Sequence, residues 1–217
     1  MRNPVITIDG PAAAGKSTVA RMVARKLGLR FLDTGAMYRA VAWKARKLGL
    51  ADLREIVSLI RDARITVDED RVTCDGTDIS REIRTPEITA AVRPIADSPE
   101  CRAELVRHQK EIGVEGGLVT EGRDQGSVVF PEAEFKFYLD ASIDVRAGRR
   151  HREQGGDFAE VRDSLSKRDR DDRLRPTGAL KQPEGAVVID TSGLTLEEVV
   201  ARILAALESP SSGGGNS

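Results

Sequence analysis

Only two cysteines occur in the 217 residues, and Cys74 and Cys101 show neither metal-ligand spacing nor a C-x-x-C arrangement. That excludes a disulfide framework and a cysteine-based metal site, and it points to reduced structural thiols in a cytoplasmic protein. No apolar run reaches the roughly 18 residues that a transmembrane helix requires. Met1-Arg-Asn-Pro leads straight into a strand pattern, so no signal peptide is expected. Net charge is nearly absent as well: 34 Lys+Arg against 35 Asp+Glu leave −1. Such a field favours neither a nucleic-acid nor a membrane partner. The sequence has no internal repeat and no conspicuous nucleophile or general base. Lysine is scarce among its cations, with 8 Lys beside 26 Arg. A guanidinium fork binds phosphate bidentately where an ammonium cannot, so the bias suits a phosphate-handling chain, although high genomic GC content would produce it too.

What is present is organised around Gly10-Pro11-Ala12-Ala13-Ala14-Gly15-Lys16-Ser17-Thr18. This stretch follows the short apolar run Val5-Ile6-Thr7-Ile8 and precedes a helical pattern. It matches G-x-x-x-x-G-K-[ST] in the strand-loop-helix context that the motif needs. The glycines let successive backbone N–H groups point inward at phosphate oxygens. Lys16 can reach the terminal phosphates, the Ser17 hydroxyl can ligate Mg²⁺, and the helix opening near Lys16 adds its positive end to the same anion site. A glycine turn between a strand and a helix is the bland alternative, and the agreement of motif and context argues against it.

Val19, Val23 and Leu27 give an apolar helix face that Gly28 terminates. Phe31-Leu32 is a second strand ending at Asp33, Thr34-Gly35 a turn, and Met37 to Leu48 a helix. Asp33, Thr34, Tyr38 and Arg39 thus fall at the carboxyl edge of the sheet, where ligands bind in open α/β folds. Asp52 and Glu55 have capping-box spacing ahead of another helix. From Ile65 the pattern alternates with period two, and Asp75-Gly76 is a hairpin signal, so a small antiparallel meander is expected over about 65–99. A helix over about 100–113 leads back. Leu118-Val-Thr-Glu121 is a buried strand running into Gly122-Arg123-Asp124, Phe135 to Leu139 is another, and Ala186 to Asp190 is the last. Thr195 and Glu198 then cap a final helix. Five strands alternating with helices predict a doubly wound, five-stranded parallel sheet of the P-loop type.

Nine arginines lie between Arg146 and Arg175, around a Gly155-Gly156 break. On a helix, Arg168, Asp172 and Arg175 share one face. The run reads either as a solvated helix laced by ion pairs or, beside a phosphate loop, as an arginine-rich lid that closes over transferring phosphates. The expected organisation is one domain over 1–207. Its core spans about 1–64, 100–144 and 179–207, with a monophosphate-binding insertion at about 65–99, a lid at about 145–178 and a disordered tail at 208–217.

Taken together, the phosphate loop, Asp33-Thr-Gly-Ala-Met-Tyr-Arg39, Ser80-Arg-Glu-Ile-Arg-Thr85, Glu121-Gly-Arg-Asp-Gln-Gly-Ser127, Val129-Phe-Pro131 and the Arg168 to Arg175 run resemble the bacterial cytidylate kinases. The D-[ST]-G-A-[IM]-Y-R and G-R-D-x-G-[ST] motifs carry more of this resemblance than the phosphate loop does. It implies transfer of the ATP γ-phosphoryl to CMP and dCMP by a monomer, with Mg²⁺. By the same resemblance residues 10–18 hold ATP, and Arg39 and Arg123 hold the CMP phosphate. Thr34, Arg102, Asp124 and Arg175 surround the pyrimidine, while Tyr38, Arg168 and Asp172 face the sugar and phosphates. Asp124 could accept from the cytosine amino group. Catalysis would rest on alignment and on charge neutralisation by Lys16, Mg²⁺ and arginines, Arg123 and Arg168 among them. Two positions depart from the family pattern: Arg93 stands where a serine near the base is usual, and Ser127 where threonine is common. The alternatives are a kinase for another small acceptor, such as UMP, another nucleotide or shikimate, and a regulatory NTP-binding switch, whose usual N-K-x-D motif the sequence lacks.

Overall fold

The computed structural model describes residues 4–68, 71–114 and 116–208. The apolar run after Pro4 forms β1 (Val5–Asp9), and the phosphate loop delivers the chain into α1 (Lys16–Leu27). There follow β2 (Arg30–Asp33), α2 (Thr34–Lys47), α3 (Leu53–Asp62), and a small antiparallel sheet of β3 (Ile65–Val67), β4 (Val72–Cys74) and β5 (Thr77–Asp78). After a 3₁₀ turn at Glu82–Arg84 come α4 (Pro86–Asp97), α5 (Pro99–Val114) and β6 (Leu118–Gly122). A π-type turn at Gln125–Val129 leads to β7 (Phe135–Asp140), then α6 (Ile143–Gln154), α7 (Phe158–Arg173), β8 (Val187–Asp190) and α8 (Leu196–Glu208). Of the tail expected at 208–217, Glu208 is instead the last residue of α8, where the helical pattern of Val199, Ile203 and Leu207 carries on for one more position, and 209–217 lie outside the described residues.

The five long strands form one parallel sheet in the order β2-β6-β1-β7-β8. β1 is central and flanked on both sides, which is why its sequence is almost continuously apolar. One face of the sheet is covered by Val19 and Val23 of α1 with Val199 and Ile203 of α8. The other is covered by Met37 and Val41 of α2 with Leu105 of α5. A third, smaller cluster joins Ala12 of the phosphate loop to Ala147 of α6 and Leu165 of α7. No helix of the described residues is long and apolar enough to cross a membrane.

Two local expectations need correction. The meander ends at Asp78 instead of running to 99, because Thr85-Pro86 starts a helix: the Thr85 hydroxyl accepts from Ile88 N–H at 3.3 Å and Pro86 occupies the first turn, where its missing N–H costs nothing. Thr34-Gly35 is helix, not turn, since Asp33 is itself the N-cap and accepts from Ala36 N–H at 2.8 Å. At the far end of the chain, Thr195 and Glu198 form both bonds of a capping box, at 2.8 and 3.2 Å.

Candidate active site

The loop after β1 is shaped by close backbone approach. Gly10 has φ +148°, and a Cβ there would collide with the Leu139 carbonyl of β7. Ala13 at φ 60° and Gly15 at φ 89° turn the remaining amides. Lys16, 5% exposed, folds its Nζ back to donate to the Pro11 carbonyl at 2.8 Å and lies 4.0 Å from Glu121 Oε2. Ser17 Oγ donates to Glu121 Oε1 at 2.6 Å. Pro11, Ala12 and Ala14 are buried, while Thr18 is exposed on the first turn of α1.

Beside this loop a second group of polar side chains is assembled from several elements. Asp33, while capping α2, pairs with Arg39 Nη2 at 3.1 Å, and Arg39 Nε is buried with no hydrogen-bond partner among the described residues. Thr34 Oγ1 donates to the Glu121 carbonyl at 2.8 Å, which ties the start of α2 to the end of β6. Arg102 of α5 reaches into the same space, donating to Tyr38 Oη at 3.1 Å and pairing closely with Asp124 Oδ2. Asp172 of α7, 2% exposed, holds Arg123 Nε at 2.8 Å and Arg175 Nη2 at 2.7 Å. The helix ends at Arg173, yet Arg175 still falls on the face shared with Asp172, as its spacing suggested. Arg168 makes no direct hydrogen bond or ion pair within the described residues.

Electrostatically, the site is crowded with positive charge. Burial, with Arg123 and Arg168 nearby, pulls the Lys16 ammonium down to about 7. Burial and then Arg123 lower the Arg168 guanidinium to about 10, with Arg150 and Arg39 contributing in the same sense. Glu121 is pushed up by burial and by Asp33, and Asp124 is pushed up by burial in spite of Arg102. Asp172 resists its own burial because Arg123 and Arg175 hold its carboxyl below the usual range. A centre on which Lys16, Arg39, Arg123 and Arg168 converge, with burial and like charge lowering both Lys16 and Arg168, suits a polyanion.

The profile of the cytidylate kinase family matches residues 6–209. The chain belongs to that family. A cytidylate kinase of Rhodopirellula baltica is 44% identical over 92% of this chain and 90% of its own length. One from Caldanaerobacter subterraneus subsp. tengcongensis is 45% identical over 96% of each. In fold alone, the chain resembles the shikimate kinase structure from Bacteroides thetaiotaomicron, at 15% identity, TM-score 0.50, and coverage of 95% of this chain and 99% of that one.

Among the departures from the cytidylate kinase pattern, Arg93 pairs with acids other than Asp124. Its guanidinium bonds Asp171 Oδ2 at 2.7 Å and Asp97 Oδ2 at 3.4 Å, and its side chain is 58% exposed. Ser127 Oγ is buried without a partner among the described residues. Sequence reasoning assigned no site role to Glu121, although a carboxylate ending a buried strand beside the phosphate loop was a usable signal. Gly178 was also missed: its φ is +64°, and a Cβ would collide with the Arg102 guanidinium over the Asp124 pair. Nothing in Pro176-Thr-Gly178 beyond the glycine itself announced that contact.

Proposed function

We propose that this chain transfers the γ-phosphoryl group of ATP to CMP, and to dCMP, giving ADP and CDP or dCDP. The observation that carries the reading is the convergence of Lys16, Arg39, Arg123 and Arg168 between a phosphate loop and an Arg102–Asp124 pair. A terminal oxygen of the CMP phosphate forms the new bond to the γ-phosphorus, and the bond from that phosphorus to the β,γ-bridging oxygen breaks, releasing ADP. The acceptor oxygen is already ionised, so no general base is required. Catalysis then consists of alignment and of positive charge at the phosphoryl group in flight. In this assignment residues 10–18 cradle ATP, with Lys16 at its terminal phosphates. Arg39 and Arg123 take the CMP phosphate, Arg168 and Asp172 border the phosphates and sugar beside Tyr38, and Thr34, Arg102, Asp124 and Arg175 surround the base.

Ser17 and Glu121 present hydroxyl and carboxylate oxygens 2.6 Å apart beside the loop, the hard donor set that suits Mg²⁺ bound jointly with substrate phosphates. The ion would supply neutralisation of phosphate charge. On this reading the helical pair α6–α7 is a lid, and the enzyme is a cytoplasmic monomer without nucleic-acid or membrane partners.

A coupled ADP-release assay across all nucleoside monophosphates tests the proposal. CMP and dCMP should be turned over far faster than UMP, AMP or GMP. Equal turnover of UMP, or NTP hydrolysis indifferent to CMP, would overturn it.

A further inference from the structure

Asp9 is the last residue of β1, immediately before the phosphate loop, and is fully buried. Both of its carboxylate oxygens are taken by amides outside the loop it precedes, while Lys16 acts on it only through charge. Oδ1 accepts from Gln125 N–H at 2.8 Å and Oδ2 from Gly126 N–H at 2.7 Å, across the top of β6. These are the two amides that follow Arg123-Asp124, the pair carried by the loop on the acceptor side. The Gln125 side chain fixes the same loop from below, accepting from Thr120 Oγ1 at 2.9 Å and donating to Gln109 Oε1 at 3.1 Å. A carboxylate is costly here, since burial pushes Asp9 up to about 7 against the pull of those two amides. A buried acid in such a place calls for a purpose beyond packing, because an apolar residue would fill the space without desolvation.

We infer that Asp9 is a positioning residue for phosphoryl transfer: its carboxylate bolts the Arg123–Asp124 loop to the strand that carries the ATP-binding loop, fixing acceptor against donor. A rotation of the loop by even about 1 Å would move the Arg123 guanidinium and the Asp124 carboxylate out of their places, the scale at which misplacement costs roughly 10²-fold in rate. The ATP loop keeps its own shape without this bolt, through its backbone turns and the seat of Gly10 on Leu139. Loss of Asp9 therefore strikes the acceptor side selectively. The inference rests on the CMP-kinase reading given above.

The experiment is steady-state kinetics of Asp9→Asn against the parent, with CMP, UMP and ATP varied in turn and thermal midpoints measured alongside. Asparagine keeps the size and one acceptor but turns an amide donor toward the second N–H. The expected result is a rise of at least tenfold in KM for CMP, a fall of at least tenfold in the CMP-over-UMP ratio of kcat/KM, and a KM for ATP within threefold of the parent. A merely structural Asp9 would lower the midpoint and leave KM for CMP and the base ratio within twofold, and that outcome overturns the inference. If Asp9→Asn does not fold, amide hydrogen exchange in the parent without CMP decides. Gln125 and Gly126 should be as protected as the amides of β1, and fast exchange there overturns the proposal. A parent that does not use CMP at all would instead remove the activity reading, an outcome separable from both.

Discussion

The two halves of the site are built by different means. On the proposed reading the donor half is contiguous in sequence, residues 10–18, and backbone makes most of it: glycines at positive φ and a helix start. The acceptor half draws Arg39, Arg102, Arg123, Asp124, Asp172 and Arg175 from four separate segments, and its parts hold one another through carboxylate–guanidinium pairs. A backbone cradle is preorganised by local geometry and tolerates little substitution within itself. A side-chain cradle is preorganised by its pairings: Asp33 holds Arg39, Asp124 holds Arg102, and Asp172 holds both Arg123 and Arg175. Specificity belongs to the second kind of construction, because only side chains can distinguish one base from another.

The largest effect that tests this contrast is on the donor side. Lys16→Met keeps much of the side-chain length and removes the charge, so kcat should fall by roughly 10²-fold or more while the choice of acceptor is unchanged. Single-turnover rates within threefold of the parent would remove Lys16 from the mechanism. On the acceptor side, the parent should prefer CMP over UMP by at least about 10²-fold in kcat/KM, since a buried carboxylate faces uracil's carbonyl unfavourably. Asp124→Asn should lose most of that preference, because the amide can rotate to donate to the carbonyl. Full discrimination in the variant would show that Asp124 is not the base reader.

Next in size is a pH effect on unliganded stability. Lys16 binds its proton less tightly folded, at about 7, than unfolded, at the ordinary lysine value of 10.5, so between those values the unfolded chain holds more protons and stability rises with pH. Denaturant melts from pH 7 to 10 should therefore shift in favour of the parent relative to Lys16→Met. A difference that is flat across the window would mean the ammonium is not desolvated. Hydrogen exchange over residues 143–173 should slow several-fold when a bisubstrate analogue binds, if the arginines close on phosphates. Unchanged exchange would make α6 and α7 a static face. The smallest effect belongs to Arg93→Ser. Its guanidinium lies on Asp171 and Asp97, largely exposed, so the CMP-over-UMP ratio should stay within twofold. A larger change would bring Arg93 into the base pocket.

The same contrast explains what was legible beforehand. The phosphate loop, the five strands and the α1 and α8 termini follow from short-range rules of periodicity, caps and glycine, so sequence reasoning reached them. The α4 helix was lost because period-two alternation was extended past Thr85-Pro86, a local start signal that went unused. The acceptor residues were named through resemblance to a family, and their partners were not: which acid holds Arg123, that Asp9 grips the amides of 125 and 126, and that Arg93 points at Asp171 all depend on contacts far apart along the chain. Gly178 could be seen only once the space above Arg102 was known.

The small cluster of Ala12, Ala147 and Leu165 has a consequence for engineering. Arg146 adds to it, donating to the Ala12 carbonyl at 3.2 Å and the Ala141 carbonyl at 2.9 Å while pairing with Asp169 at 2.6 Å. The α6–α7 hairpin therefore rests on the ATP loop as a lever rests on its fulcrum, and residue 12 is as much a part of the hairpin as of the motif. An α6–α7 hairpin transplanted from a relative is not an interchangeable cassette. Its helices bring half of a joint whose other half is the middle of the phosphate loop, and the two must be exchanged together.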